Sequence, residues 1–291
     1  MKTRSQTEFL EQGQLREQVK FWRDPALNNT EMLRATYVTH SFSRHTHEGY
    51  AIGVIDAGVE EFTYQGATHR AIADSIVIVH PGEVHTGHAG ADEGWQYRML
   101  YPDVGLLQRA IAELQESSAM IPYFPNPVIL DDELAGQLRR LHMALEATSS
   151  QLERESRFLW TLTQLILRYA QHRPIVLPIS PERGAVLRVQ DYLHACFAES
   201  ISLDHLAQIA DLKPLRLLRV FQRETGLPPH AYLVQHRVQQ AKLMLSSGRA
   251  IAQVAYDTGF TDQSHLNRHF KRLVGVTPGQ YAIGCRGQRV G

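Results

Sequence analysis

The apolar residues of this chain follow two different periods. Around residues 50 to 85, the runs YAIGVIDAG, EEFTYQGATHRAI and DSIVIVHPGEVH are short and rich in β-branched and aromatic side chains. Gly58, Gly66, Asp74 and the Pro81-Gly82 pair punctuate them as turns punctuate successive antiparallel strands, and they predict a small β-barrel. Further on, the spacing becomes helical. LAGQLRRLHMALEA (134–147) and ERESRFLWTLTQLILRYAQH (153–172) are amphipathic, and the second carries Phe158, Leu159, Leu162, Leu165, Ile166 and Tyr169 in one broad stripe. Part of that stripe is expected to cover the barrel; the rest either does the same or pairs with a second chain. HRPIVLPISPERG (172–184), with three prolines, reads as an interdomain linker.

The C-terminal third is helical in pattern and repeats itself. In IAQVAYDTGFTDQSHLNRHFKRLVGVTPGQY (251–281), Ile251, Val254 and Ala255 form the inward stripe of a short helix that Gly259 ends. Thr261 or Asp262 then caps a second helix through a side-chain oxygen. Its apolar residues Leu266, Phe270 and Leu273 share a face, and Ser264, Arg268 and Lys271 lie almost opposite, with His265, Asn267 and Arg272 beside them. An ordinary solvated helix has the same amphipathic pattern. A second copy shifts the balance: adding 49 carries Leu217 to Leu266, Arg219 to Arg268, Phe221 to Phe270, Gly226 to Gly275, Pro229 to Pro278 and Tyr232 to Tyr281. Two helix-turn-helix units follow, joined by the helix in YLVQHRVQQAKLMLSSGRA (232–250). Such a pair can enter successive major-groove segments roughly 34 Å apart.

Charge supports a division of labour. The whole chain is formally neutral, with 30 Lys plus Arg against 30 Asp plus Glu. Divided at 180/181, the first part holds 16 against 22 and the second 14 against 8, so the basic part is the one with the repeated helices. That asymmetry fits phosphate contact confined to one end, against a background of chance surface charge. No run reaches the roughly 18 apolar residues of a membrane span, and the polar start MKTRSQTEFLEQ does not read as a signal peptide. A cytoplasmic protein with no membrane partner is expected. Cys196 and Cys285 lack metal or redox spacing and read as free thiols.

Residues 251–281 carry the elements I-A-x-V-A, G-F, S-x-L-x-R-x-F-K and G-x-x-P-x-x-Y, and on them the chain resembles the AraC/XylS family of bacterial transcriptional regulators over residues 186–284. The resemblance implies double-stranded DNA as partner. It places Gln263, Ser264, His265 and Arg268, with Lys271 on the same helix, at the DNA in the second unit, and Leu215, Arg216, Leu218 and Arg219 there in the first. Two positions depart from the family pattern: Asp211 stands where the turn usually has Gly, and Lys213 where a Ser or Thr cap is usual, although Pro214 suits the first helical position. An outward Leu215 would meet a thymine methyl or a protein partner.

The first part contains a histidine set, HTH at 45–47 and His80, His85 and His88 in HPGEVHTGH. His45 and His47, two apart, share one face of a strand, and His85 would end a later strand opposite them. Over residues 30–102 this resembles the cupin domain that such regulators carry as an effector pocket. Metal-binding cupins add a Glu four or five positions after the second His, where this chain has Ala51 and Ile52. Three imidazoles could hold a divalent ion with an open position, but the favoured expectation is that His45, His47 and His85 line a pocket for an unknown small-molecule effector. Tyr50, Phe62, Tyr64 and Trp95 are candidates for the same pocket and equally for core, and neither a metal nor a cofactor is expected.

The expected protein is therefore α+β and multidomain: an arm at 1–30, a cupin-like antiparallel barrel at 31–103, a helical dimerisation or support region at 104–173, a linker at 174–184 and an all-α double helix-turn-helix at 185–284. It is expected to be no enzyme but an effector-modulated, sequence-specific regulator. The resemblance makes it an activator, with RNA polymerase as a partner, and a homodimer. The alternatives are a metal-dependent cupin enzyme or metal sensor fused to a DNA-binding domain, and a regulator blind to small molecules.

Overall fold

The structure, a computed structural model, describes residues 17–114, 121–147, 149–171, 182–274 and 276–287. Most of the expected linker, the first part of the expected arm and Gly275 of the repeat lie outside those residues. The chain forms two compact units. The first is Met1–Arg109, Ser118–His142 and Gln164–Arg173; the second is Ala110–Ser117, Met143–Thr163 and Pro174–Gly291. The helical stretch expected as a region of its own at 104–173 is thus shared out between the two.

Among the described residues, nine strands build the first unit: β1 (Gln18–Asp24), β2 (Thr30–Tyr37), β3 (Ser41–His45), β4 (Ala51–Tyr64), β5 (Ala67–Ile72), β6 (Ser75–Val79), β7 (His85–Ala89), β8 (Trp95–Tyr101) and β9 (Val128–Leu130). The main path runs β1-β2-β8-β4-β6-β9, with β5 and β7 also on β4 and β3 on β7. Every pairing is antiparallel. The sheet does not close, which corrects the expected barrel: β1 and β9 each end the path with one partner. Strand β4 organises the rest because it is long enough to change partners. Its first half pairs with β6 and β8, and its second half with β5 and β7. The register against β8 shifts between Ile55 and Ala57, and Gly58 at φ +72° follows; a Cβ there would lie 2.0 Å from Gly94 O, so the bend requires glycine. Residues 18–24, expected in an arm, form β1 instead. Val19 and Phe21 on it are exposed, so the strand lacks the buried alternation that announces one.

The helices are α1 (Val104–Leu114), α2 (Asp132–Glu146), α3 (Gln151–Tyr169), α4 (Arg183–Ala195), α5 (Leu203–Ala210), α6 (Pro214–Thr225), α7 (Pro229–Ser246), α8 (Ile251–Asp257), α9 (Gln263–Val274) and α10 (Pro278–Gly287). Among the described residues of the second unit, two small cores stand out. Val189, Leu193, Leu206, Leu217, Val220 and Phe221 form one with Leu152 of α3, and Val254, Ala255, Phe260, Leu266 and Phe270 form the other with Val238, Ala241 and Leu245 of α7. The 49-residue repeat is visible in the packing. Phe221 meets Tyr232 edge-on at 5.4 Å between ring centroids, and Phe270 meets Tyr281 edge-on at the same 5.4 Å.

Candidate nucleic-acid interface and effector site

In the second helix-turn-helix, α8 stops at Thr258 and Gly259 turns the chain at φ +75°. A Cβ on Gly259 would lie 2.6 Å from Ala198 O, so glycine is needed for both conformation and clearance. Asp262 Oδ1 then accepts a hydrogen bond from His265 N at 2.7 Å and caps α9. Leu266 and Phe270, both fully buried, anchor the helix. Gln263, Ser264, Arg268 and Lys271 are exposed, and Ser264, Arg268 and Lys271 fall within about 60° of one another around the axis. That face carries a guanidinium, an ammonium and a hydroxyl, donors able to meet phosphates and base edges. His265 does not join it. Next to Leu266 and one turn before His269, it is 1% exposed, with Nδ1 2.6 Å from Thr261 Oγ1.

The first helix-turn-helix solves its two departures differently. Asp211 adopts the left-handed conformation itself, φ 54° and ψ 46°, at the end of α5. Lys213 supplies no side-chain cap to α6. Glu113, near the end of α1 and in the same compact unit, takes that place: its Oε2 accepts from Leu215 N at 3.0 Å, while Lys213 Nζ donates to Ala112 O at 3.1 Å. Burial pushes the Glu113 carboxyl above its ordinary range. Of the four residues expected outward on α6, Leu215 and Leu218 are buried, and Leu218 joins Leu217 in the core of this unit. Arg216 and Arg219 are half-buried, and Arg216 Nε bonds Glu182 Oε1 at 2.7 Å.

In the first unit the histidines converge. His45 pairs directly with His85 across β3 and β7, and Tyr64 of β4 pairs with His85 from the other side. His47 lies beyond the end of β3, where its carbonyl accepts from Gly82 N at 2.8 Å. The three rings are 4.2 to 5.0 Å apart, and one nitrogen from each lies within 4.8 Å of the others. Burial, with His85 and His45 beside it, pulls His47 down to about 4, and burial lowers His85 as well. The spacing fits three ligands of one ion and equally a row of neutral imidazoles facing a polar ligand. His80 and His88 stand apart: His80 bridges Tyr64 Oη at 2.6 Å and Phe124 N at 2.9 Å, and His88 reaches Glu61 at 3.4 Å on the surface.

The expected aromatics divide. Tyr50 donates to Pro122 O at 2.6 Å, a structural tie, whereas Phe62, Tyr64 and Trp95 are buried together in the core of the sheet. Trp95 Nε1 is enclosed and has no hydrogen-bond partner. Glu60, absent from the sequence-based candidates, is buried on the same side of β4 as Phe62 and Tyr64, with Oε2 also enclosed and partnerless. Burial pushes its carboxyl up to about 7, and its charge raises the hydroxyls of Tyr97 and Tyr101 beyond the effect of their own burial. Tyr101 in turn lies 4.8 Å from His47, ring to ring. An unmatched donor, an unmatched acid and a row of imidazoles on one sheet interior are groups chemically able to meet a polar molecule. The signal for Glu60 was its phase: an acid two residues before Phe62 and four before Tyr64 belongs to the inward set.

Two family models match the chain, the AraC-like ligand binding domain over residues 28–162 and the helix-turn-helix domain over residues 206–282. Among curated proteins, the uncharacterized HTH-type transcriptional regulator YbfI of Bacillus subtilis is 30% identical over 244 residues, 84% of this chain and 87% of that protein. The HTH-type transcriptional activator RhaS of an Enterobacter species is 22% identical over 252 residues, 84% of this chain and 88% of that protein. The arabinose operon regulatory protein of Salmonella typhimurium is 34% identical over 129 residues, 43% of this chain and 44% of that protein. Among the described residues, no helix is long and apolar enough to cross a membrane.

Proposed function

The chain belongs to the AraC family of DNA-binding transcriptional regulators with an N-terminal ligand-binding domain, and from that premise we propose that it is an effector-controlled activator acting at a specific DNA sequence. The observation that carries the DNA-binding half is the exposed Ser264, Arg268 and Lys271 face of α9 over a buried Leu266–Phe270 anchor. Arg268 is the base-reading residue, and Arg216 and Arg219 of α6 act at the backbone or bases of the neighbouring groove segment. The effector half rests on His45, His47, His85, Glu60 and Trp95, which offer a polar small molecule both donors and acceptors. The effector works by differential affinity: it favours the arrangement able to place both recognition helices. In the alternative arrangement Glu113 holds the first turn of α6. A homodimer that contacts RNA polymerase in the cytoplasm, where the promoter is, completes this reading, and catalysis has no part in it.

Selection of duplexes from a random pool by the full chain tests the proposal. It should enrich one motif, and Arg268→Ala should weaken binding to that motif by about 1–3 kcal/mol while leaving non-specific binding nearly unchanged. A pool with no enrichment, or an Arg268→Ala protein with undiminished discrimination, would contradict it. The three-imidazole cluster favours one second reading, in which the effector is itself a divalent ion. Metal analysis of the untagged protein beside His45→Gln/His85→Gln separates the two: near-stoichiometric metal lost on substitution supports the ion.

A further inference from the structure

Three buried side chains that neither site uses meet inside the second unit. Glu153 lies in the first turn of α3, and His265 and His269 stand four apart on α9. One ligand atom from each lies within 4.8 Å of the other two, and the residues are only 6%, 1% and 5% exposed. The helix itself explains the histidine pair, since residues four apart project from one face about 40° apart. The outer contacts sort the ring nitrogens. His265 Nδ1 is 2.6 Å from Thr261 Oγ1 and His269 Nδ1 is 3.1 Å from Arg272 Nη2, which leaves Nε2 of each. His265 Nε2 is fully enclosed and has no hydrogen-bond partner.

We propose that Glu153, His265 and His269 form a binding site for a divalent first-row transition-metal ion, of which Zn²⁺ is the type. Two imidazoles and one carboxylate with a fourth position open make a donor set that suits Zn²⁺, Co²⁺ or Ni²⁺ and not Ca²⁺ or Mg²⁺, which take oxygen. Thr261 orients His265 from outside, the usual role of a partner on the far ring nitrogen. Two cations oppose the ion: Arg157 Nε bonds Glu153 Oε1 at 3.0 Å, and Arg272 must leave His269 Nδ1 so that this nitrogen carries the proton. The site therefore binds less tightly than an uncontested His₂Glu set. Its consequence is mechanical: the ion ties α9 to the first turn of α3 and holds His265 away from the exposed face of its helix.

The test uses the full, untagged, chelator-stripped chain carrying His45→Gln/His85→Gln, so that the sheet cluster cannot contribute. Co²⁺ titration should give close to one equivalent with the visible absorption of a low-coordinate ion, reversed by Zn²⁺. Adding Glu153→Gln or His269→Gln should lower Co²⁺ affinity by more than the roughly 10–100-fold that loss of an outer partner costs, and Thr261→Val should fall inside that range. X-ray absorption of the Zn²⁺-loaded protein needs no further substitution and should show two imidazoles on the ion. No visible absorption, affinity unmoved by Glu153→Gln and His269→Gln in folded protein, or a zinc environment without imidazole would each overturn the proposal.

Discussion

Glu60→Gln should make the protein more stable at neutral pH and not at acid pH. The carboxyl is enclosed in the sheet with Oε2 partnerless, and its pKa rises from 4.5 to about 7. At about 1.4 kcal/mol per unit, that shift corresponds to about 3 kcal/mol. Its sign follows from which state holds the proton more tightly. The folded protein does, so the stabilisation is complete below about pH 4.5, declines as pH rises and is gone above about pH 7. Buried imidazoles run the other way: His47, His230 and His269, each near 4, gain protons on unfolding, so their contribution grows with pH up to about 6.5. They are common to both proteins and cancel in the difference. Urea unfolding at half-unit steps from pH 5 to 8, followed through tryptophan fluorescence, measures it; Trp22 and Trp95 both lie on strands. The variant-minus-parent stability should climb by about 2.5 kcal/mol from pH 5 to pH 8, most of it below pH 7. A difference independent of pH would refute the buried, proton-holding Glu60.

Other substitutions probe the remaining joints of the account. Leu266→Ala removes a fully buried anchor of α9 and should cost about 2–5 kcal/mol in thermal or urea unfolding; an unchanged transition would refute its anchoring role. Gly259→Ala forces a positive φ and a 2.6 Å contact with Ala198 O, so it should destabilise by more than the roughly 0.4–1 kcal/mol that a compatible Gly→Ala change contributes favourably, read as a lower melting temperature. Glu113→Ala strips the borrowed cap from α6, a change of about 0.5–2 kcal/mol, and should tighten effector-free DNA binding by up to that amount in a gel shift. Weaker binding would mean that the capped helix is the one that reads DNA.

The repeated helix-turn-helix was the most legible part of the chain because its signals agree at every level. Leu217 and Leu266 anchor, the two Phe–Tyr pairs match, Asp262 caps, and Gly259 turns where its neighbour leaves no room for a Cβ. The strands of β4 to β6 were legible for the same reason, since turn residues and β-branched runs coincide there. What sequence alone misjudged depends on long-range partners. Nothing local says that β1 would pair with β2, because Val19 and Phe21 bury nothing that would mark the strand. The open sheet follows from the partner change along β4, a property of the assembled strands. The family resemblance put Leu215 and His265 outward, and tertiary contacts with the rest of the unit drew both inside. Glu60 was missed because an acid in a strand reads as solvated until its neighbours on the same side are known.

The most direct test of the central claim is a hydroxyl-radical footprint of the full chain on its selected DNA site. Within each half-site, the two recognition helices of one chain, one from each helix-turn-helix, should protect two successive major-groove segments separated by about one helical turn, roughly 34 Å, and Arg268→Ala should thin only the segment read by α9. A single protected segment, or one that Arg268→Ala leaves untouched, would contradict the account.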